Sequence, residues 1–216
     1  MEGQEWDKRY DPAQGWAYGE APNDFLAEAA PKHIKSHSKL LALGEGEGRN
    51  AVFVAKEIEG STIHCIDLSS VGLAKVPVLA QKKGIDPARL STQVADLSDF
   101  DMGSQQWDGV FSIWCHLPSR LRREVHQKVL KGLKPGGAFI LESYTPSNVG
   151  RGTGGPQKED LCVTATQLKE DFGVADHALE NAEVEIITLQ EQEREVKEGQ
   201  YHSGLSATVQ MVLKKK

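Results

Sequence analysis

The chain has 216 residues, of which 39% are hydrophobic and 26% charged, with a formal net charge of -6 and a mean hydropathy of -0.43. These values fit a globular chain that buries a core of its own, and the acidic balance argues against a nucleic-acid surface, which needs clustered Lys and Arg. No apolar run is long enough for a membrane span, and Cys65, Cys115 and Cys162 have no metal-ligand spacing, so they read as reduced cytosolic thiols.

Residues 1–7 are polar and acidic, unlike a secretion signal, and a cytoplasmic location is expected. The opening segment carries Trp6, Tyr10, Trp16 and Tyr18 among charges and glycines without a regular period. Such a segment suggests an aromatic flap packed on the rest of the chain. Asn23 then caps a predicted helix over 24–30. Strand and helix signals alternate after it. Residues 40–43 form a buried-type strand, 49–59 a helix closed by Gly60, and 62–67 a second strand. Ser69 caps a helix reaching residue 83, with a kink expected at Pro77. Residues 90–94 and 107–114 are the third and fourth strands. A helix over 121–133 meets the turn Lys134-Pro135-Gly136-Gly137, which leads into a fifth strand over 138–144. A loop rich in Gly and Pro (150–156) precedes a short helix over 165–172. Residues 184–196 and 206–213 read as long strands able to pair as a hairpin. The alternation predicts an α/β fold with a mostly parallel sheet, helices on both faces and an antiparallel end.

Gly44, Gly46 and Gly48 stand between the first strand and the helix after it. A strand, a tight turn and a helix N-terminus in that order make a cradle for a nucleotide cofactor, because a backbone without Cβ atoms lets a ligand approach closely. A dinucleotide G-x-G-x-x-G pattern requires glycine at position 49, where this chain has Arg49. The spacing G-x-G-x-G resembles motif I of the class I S-adenosylmethionine methyltransferases. Three further features follow in the family's order: Asp67 closing the second strand about twenty residues on, Asp96 after the third strand, and the turn at 133–137. The resemblance covers nearly the whole chain. Gly46 to Ala51, with Trp6 to Tyr10 and Tyr18 to Pro22, narrows it to bacterial small-molecule enzymes related to the tellurite-resistance and thiopurine methyltransferases.

The resemblance implies a Rossmann-like methyltransferase fold with a seven-stranded sheet. It implies one domain, with a lid and helix over 1–36, a cofactor-binding core over 37–145 and an acceptor-side loop, helix and hairpin over 146–216. The implied cofactor is S-adenosylmethionine, leaving S-adenosylhomocysteine. Its methionine part is expected over Gly44, Glu45, Gly46, Gly48, Arg49 and Asn50, its ribose on Asp67 and Leu68, and its adenine near Asp96 and Leu97. Trp114 would flank the adenine or the donor sulfur. Arg49 either meets the methionine carboxylate or pairs with Glu47 or another surface acid. The family's acid two positions before the first glycine is replaced by Ala42, and Glu45 is the candidate substitute. Tyr10, Trp16 and Tyr18 are lid candidates. His116 is the candidate general base or orienting group, and Cys115 a packed thiol. Glu142 and Tyr144 are expected on the acceptor side. An inward-turned Arg194 or His202 would be compatible with an anionic acceptor.

The implied activity is methyl transfer to a small molecule through an S, Se/Te, O or N nucleophile. No metal, nucleic-acid or membrane partner is expected, and the chain is expected to be a monomer or homodimer. The rival reading is a catalytically inactive cofactor-binding module, motivated by Ala42. A nicotinamide-linked oxidoreductase is disfavoured by Arg49.

Overall fold

The computed structural model describes residues 3–175 and 177–216. Seven strands form one sheet: β1 (Lys39–Leu43), β2 (Thr62–Asp67), β3 (Leu90–Val94), β4 (Trp107–Ile113), β5 (Leu133–Tyr144), β6 (Val184–Glu198) and β7 (His202–Lys215). Their order across the sheet is β3-β2-β1-β4-β5-β7-β6. The first five run parallel, and β7 lies antiparallel between β5 and β6. The helices are α1 (Gly3–Arg9), α2 (Asp24–His33), α3 (Arg49–Glu57), α4 (Ser70–Lys82), α5 (Ser119–Gly132) and α6 (Ala165–Asp171).

Side chains alternate across each strand, so β1 feeds two cores. Leu40 and Ala42 pack with Leu26, Val54, Leu73 and Phe111 under α2, α3 and α4. Leu41 and Leu43 pack with Val125, Val129, Phe139 and Phe172 under α5 and α6. Behind the second layer, fully buried Asp171 accepts from Arg122 Nε at 2.9 Å and lies 2.8 Å from His126 Nδ1, which ties α6 to α5.

The strand order reverses at β1. The chain winds outward through β2 and β3, then returns to the other side of β1 with β4. Loops leaving the C-terminal ends of β1 and β4 therefore diverge, and a crevice opens between them.

Two elements depart from the sequence expectation. The opening flap contains a helix, α1, whose Asp7 carboxylate accepts from Ser69 Oγ at 2.6 Å and Val71 N at 3.2 Å. Tertiary docking onto the start of α4 stabilises seven residues with no periodic pattern of their own. β5 starts at Leu133, because Leu133 pairs with Trp107 before a register shift, so the Lys134–Gly137 turn lies within the strand. α4 runs through Pro77, as the helix expected to residue 83 requires.

Candidate functional site

The glycine turn is built for close approach. Gly44, Gly46 and Gly48 have φ of 62°, 62° and 90°, a region that L-residues with a Cβ avoid. A Cβ on Gly44 would stand 2.8 Å from Cys115 Sγ, and one on Gly46 would stand 2.6 Å from the Tyr10 hydroxyl. Gly48 begins α3 without a side-chain cap. Glu45 supplies the missing acceptor, taking Ala51 N at 2.8 Å. Asp67, at the tip of β2, accepts from Gly46 N and Ser69 N, both at 2.8 Å.

The crevice beside this turn opens to solvent and spans about 480 Å³ with that open space included. Gly44, Glu45, Glu47, Arg49 and Asn50 line its turn side, and Ile113, Trp114 and His116 line the β4 side. Trp6, Tyr10, Tyr18 and His202 close it. Trp114 has φ 56°, a strained conformation for a bulky residue and one that clusters at functional sites. Its N–H donates to Glu142 O at 3.0 Å, its indole Nε1 donates to Glu198 Oε2 at 2.5 Å, and its ring stacks on Tyr144 with centroids 4.4 Å apart.

A buried polar network lies behind these rings. Glu142 is fully buried and accepts from Arg194 Nε and Nη2 at 2.8 and 2.7 Å, from Gln210 Nε2 at 2.7 Å and from Asn23 Nδ2 at 2.5 Å. Glu198 accepts from Asn23 Nδ2 at 2.8 Å, from Trp114 and from Arg49. Arg49 also donates to Ala21 O at 3.0 Å. Glu47 pairs with Lys75 at 2.7 Å. Each carboxylate of the network thus has several donors, the condition under which buried charge is tolerated.

Burial sets the protonation states. It pushes the Glu45 carboxyl up to about 7, against the opposing Ala51 N–H and Arg49 charge. Asp67 is raised by burial despite its N–H donors. Burial, with His202 nearby, lowers His116 to about 3. Burial, with Arg49 and Arg9 nearby, lowers His202 to about 3. Both rings are therefore neutral at physiological pH. The Cys115 thiol is pushed up to about 12 by burial and by Asp67, so it stays protonated.

The structure brings Tyr10, Tyr18, Gly44, Glu45, Arg49, Asn50, Trp114 and His116 to one crevice. Other predicted site residues lie elsewhere. Arg49 pairs with Glu198 of the hairpin, not Glu47. Trp16 packs outside the crevice, with Lys75 Nζ 5.5 Å from its ring centroid. Exposed Asp96 turns back to accept from Ser98 N at 2.8 Å, and Leu97 beside it is buried in the α5 layer. Leu68 lies under α1, where a Cβ on Gly3 would stand 2.9 Å from its carbonyl oxygen. Glu142 and Arg194 consume each other behind the lining, and Tyr144 is buried beneath Trp114. Glu198 gave no sequence signal and Asn23 only that of a helix cap, since the partners they meet here lie as much as 175 residues away.

No curated protein matches the chain in sequence. The family described as "Methyltransferase domain" matches residues 40–137. Among solved structures, a protein of echinomycin biosynthesis, described with the conversion of a disulfide bond into a thioacetal group, aligns with a TM-score of 0.69 at 15% identity, over 99% of this chain and 92% of that one. TehB from Haemophilus influenzae aligns with a TM-score of 0.67 at 16% identity, over 88% of this chain and 61% of its own. A SAM-dependent methyltransferase from Methanosarcina mazei aligns with a TM-score of 0.61 at 15% identity, over 85% and 95%. Residues 40–137 thus resemble a methyltransferase domain, and the chain shares the fold of solved structures that include an S-adenosylmethionine-dependent methyltransferase.

Proposed function

We propose that the protein transfers a methyl group from S-adenosylmethionine to a small-molecule acceptor. The observation that carries this reading is the junction of two surfaces in one crevice, the positive-φ glycine turn after β1 and the ring-lined wall after β4. The turn would take the cofactor's methionine part once Tyr10 withdraws, since the Tyr10 hydroxyl now stands where a Cβ on Gly46 would be. Gly44, Glu45, Gly46, Gly48 and Asn50 would hold that part. Asp67 and Leu68 would hold the ribose, with α1 and Tyr10 shifting to admit it. When bound, the cofactor supplies an electrophilic methyl on a sulfonium.

The chain's own contribution is orientation and exclusion of water. Trp114, fixed by Glu198 and Tyr144, and the covering Tyr10 and Tyr18 rings shield the crevice. His116 is a weak base at its lowered pKa, which favours acceptors needing little proton abstraction. Incubation with S-adenosylmethionine and a panel of small nucleophiles tests the reading. Formation of S-adenosylhomocysteine dependent on one acceptor is expected, and its absence across thiols, amines and phenols refutes catalysis.

A second reading, a cofactor-binding module without catalysis, is favoured by one observation. Asp67 spends an oxygen each on Gly46 N and Ser69 N, and Tyr10 stands over the turn. Cofactor binding without turnover in that panel is its signature.

A further inference from the structure

The wall opposite the glycine turn is a box of rings. Trp114, His116, Tyr144 and His202 have mutual centroid distances of 4.4 to 6.3 Å in the pairs that touch, and Tyr18 covers His202 at 4.8 Å. Three polar atoms of this box are sealed from solvent without a well-aligned hydrogen-bond partner among the described residues: His116 Nε2, His202 Nδ1 and the Tyr144 hydroxyl, with the Leu161 backbone the nearest group to His116 and Ser206 to Tyr144. His116 Nδ1 reaches Ser143 Oγ only at 3.4 Å. Buried polar atoms normally have partners, so these nitrogens, which line the crevice through their rings, are candidates to meet a ligand.

The charges around the box sum to a definite preference. Arg49 is neutralised by Glu198, Arg194 by Glu142 and Lys75 by Glu47. Neither His116 nor His202 has a carboxylate within ion-pair distance among the described residues, and His202 faces Arg49 and Arg9. Arg9 has no carboxylate partner there, but it lies outside the lining, 3.9 Å from the Tyr201 ring centroid and 3.3 Å from the Tyr18 hydroxyl. Glu45 lines the crevice with no ion pair among the described residues. An anion entering the box would lose its hydration and find no free cation in the lining, a costly transfer. A cation is not held either, because Glu47, Glu142 and Glu198 are spent on Lys75, Arg194 and Arg49 and burial favours the protonated form of Glu45.

We propose that the acceptor is a small uncharged molecule, seated against the Trp114, His116, His202 and Tyr18 rings and hydrogen-bonded by the two imidazoles. A neutral imidazole has one donor and one acceptor nitrogen, so the box matches a ligand with an ionisable but protonated group, and oxyanions and carboxylates are excluded. This rests on the methyl-transfer reading for the word acceptor, while the binding preference stands on the box itself.

Isothermal titration of the whole protein with phenol and with benzoate at pH 7.5 tests it, alone and with S-adenosylhomocysteine present. The probes share ring and size and differ in charge. Phenol is expected to bind about tenfold or more tightly than benzoate. Equal or tighter binding of benzoate overturns the proposal, and so does binding of neither. Glu198→Gln keeps the hydrogen-bonding shape but frees positive charge, and is expected to shift the ratio toward benzoate. An unshifted ratio in a variant with native circular dichroism overturns the charge argument, and if that variant does not fold the wild-type ratio decides. Failure of S-adenosylhomocysteine to bind, with the phenol preference intact, counts against the methyl-transfer reading alone.

Discussion

At the scale of single residues, burial without a counter-charge gives the site its pH behaviour. His116 and His202 titrate near 3 in the folded chain, against about 6.5 for a free histidine. Between those values the unfolded chain binds more protons. The stability tied to their neutral state is therefore complete above about pH 6.5 and is lost as pH falls toward 3, at up to about 1.4 kcal/mol per pH unit for each histidine. Urea unfolding between pH 4 and 7 is expected to show a shallower slope in His202→Asn than in the wild type. Glu45 acts in the opposite sense. Its folded pKa near 7 lies above the ordinary value of about 4.3, so the folded chain holds its proton longer and the ionisation penalty grows as pH rises to 7. Glu45→Gln, which can still accept from Ala51 N, is expected to gain stability at pH 8 relative to pH 5 in the same measurement.

At the scale of elements, two pieces behave differently because their packing differs. α1 has no buried residues and is held by Asp7 on the start of α4 and by the Trp6–Tyr10 stack, whose centroids are 5.9 Å apart. Deleting residues 1–9 is expected to leave the sheet intact, by circular dichroism, and to speed entry of S-adenosylhomocysteine severalfold in stopped-flow fluorescence. An unchanged rate means that α1 does not gate the crevice. α6 is fixed through buried charge. Asp171→Ala leaves Arg122 and His126 without their carboxylate, and loss of one partner of a buried pair costs about 3–5 kcal/mol, readable as a lower urea midpoint. The long hairpin of β6 and β7 closes one edge of the sheet. Its tip grips the N-terminal segment, with Gln200 N donating to Ala17 O at 2.9 Å, and Glu198 and His202, which flank its turn, reach the site.

At the scale of the whole molecule, strand order gathers the crevice-lining groups at the C-terminal ends of the central strands β1 and β4, so ligand binding there stabilises the entire fold. S-adenosylhomocysteine at about a hundred times its Kd adds about 2.7 kcal/mol, a rise in Tm of about 5–10 °C for a chain of this size, whereas NADH is expected to add none. A shift with NADH instead overturns the cofactor assignment. Among the described residues no helix is long and apolar enough to cross a membrane.

The sequence by itself determined the class of fold, the order of strands and helices and the glycine turn. Each of these rests on local physics: a period of apolar residues, a cap at Asn23 or Ser69, and a φ above zero that glycine adopts freely. Only the tertiary structure decided that Arg49 pairs with Glu198, that Glu142 is spent on Arg194, that Asp96 caps its own turn and that His202 joins His116. Those choices depend on the register of a hairpin about 150 residues downstream of the turn and on what burial leaves unpaired, and neither quantity is written in any short stretch of chain.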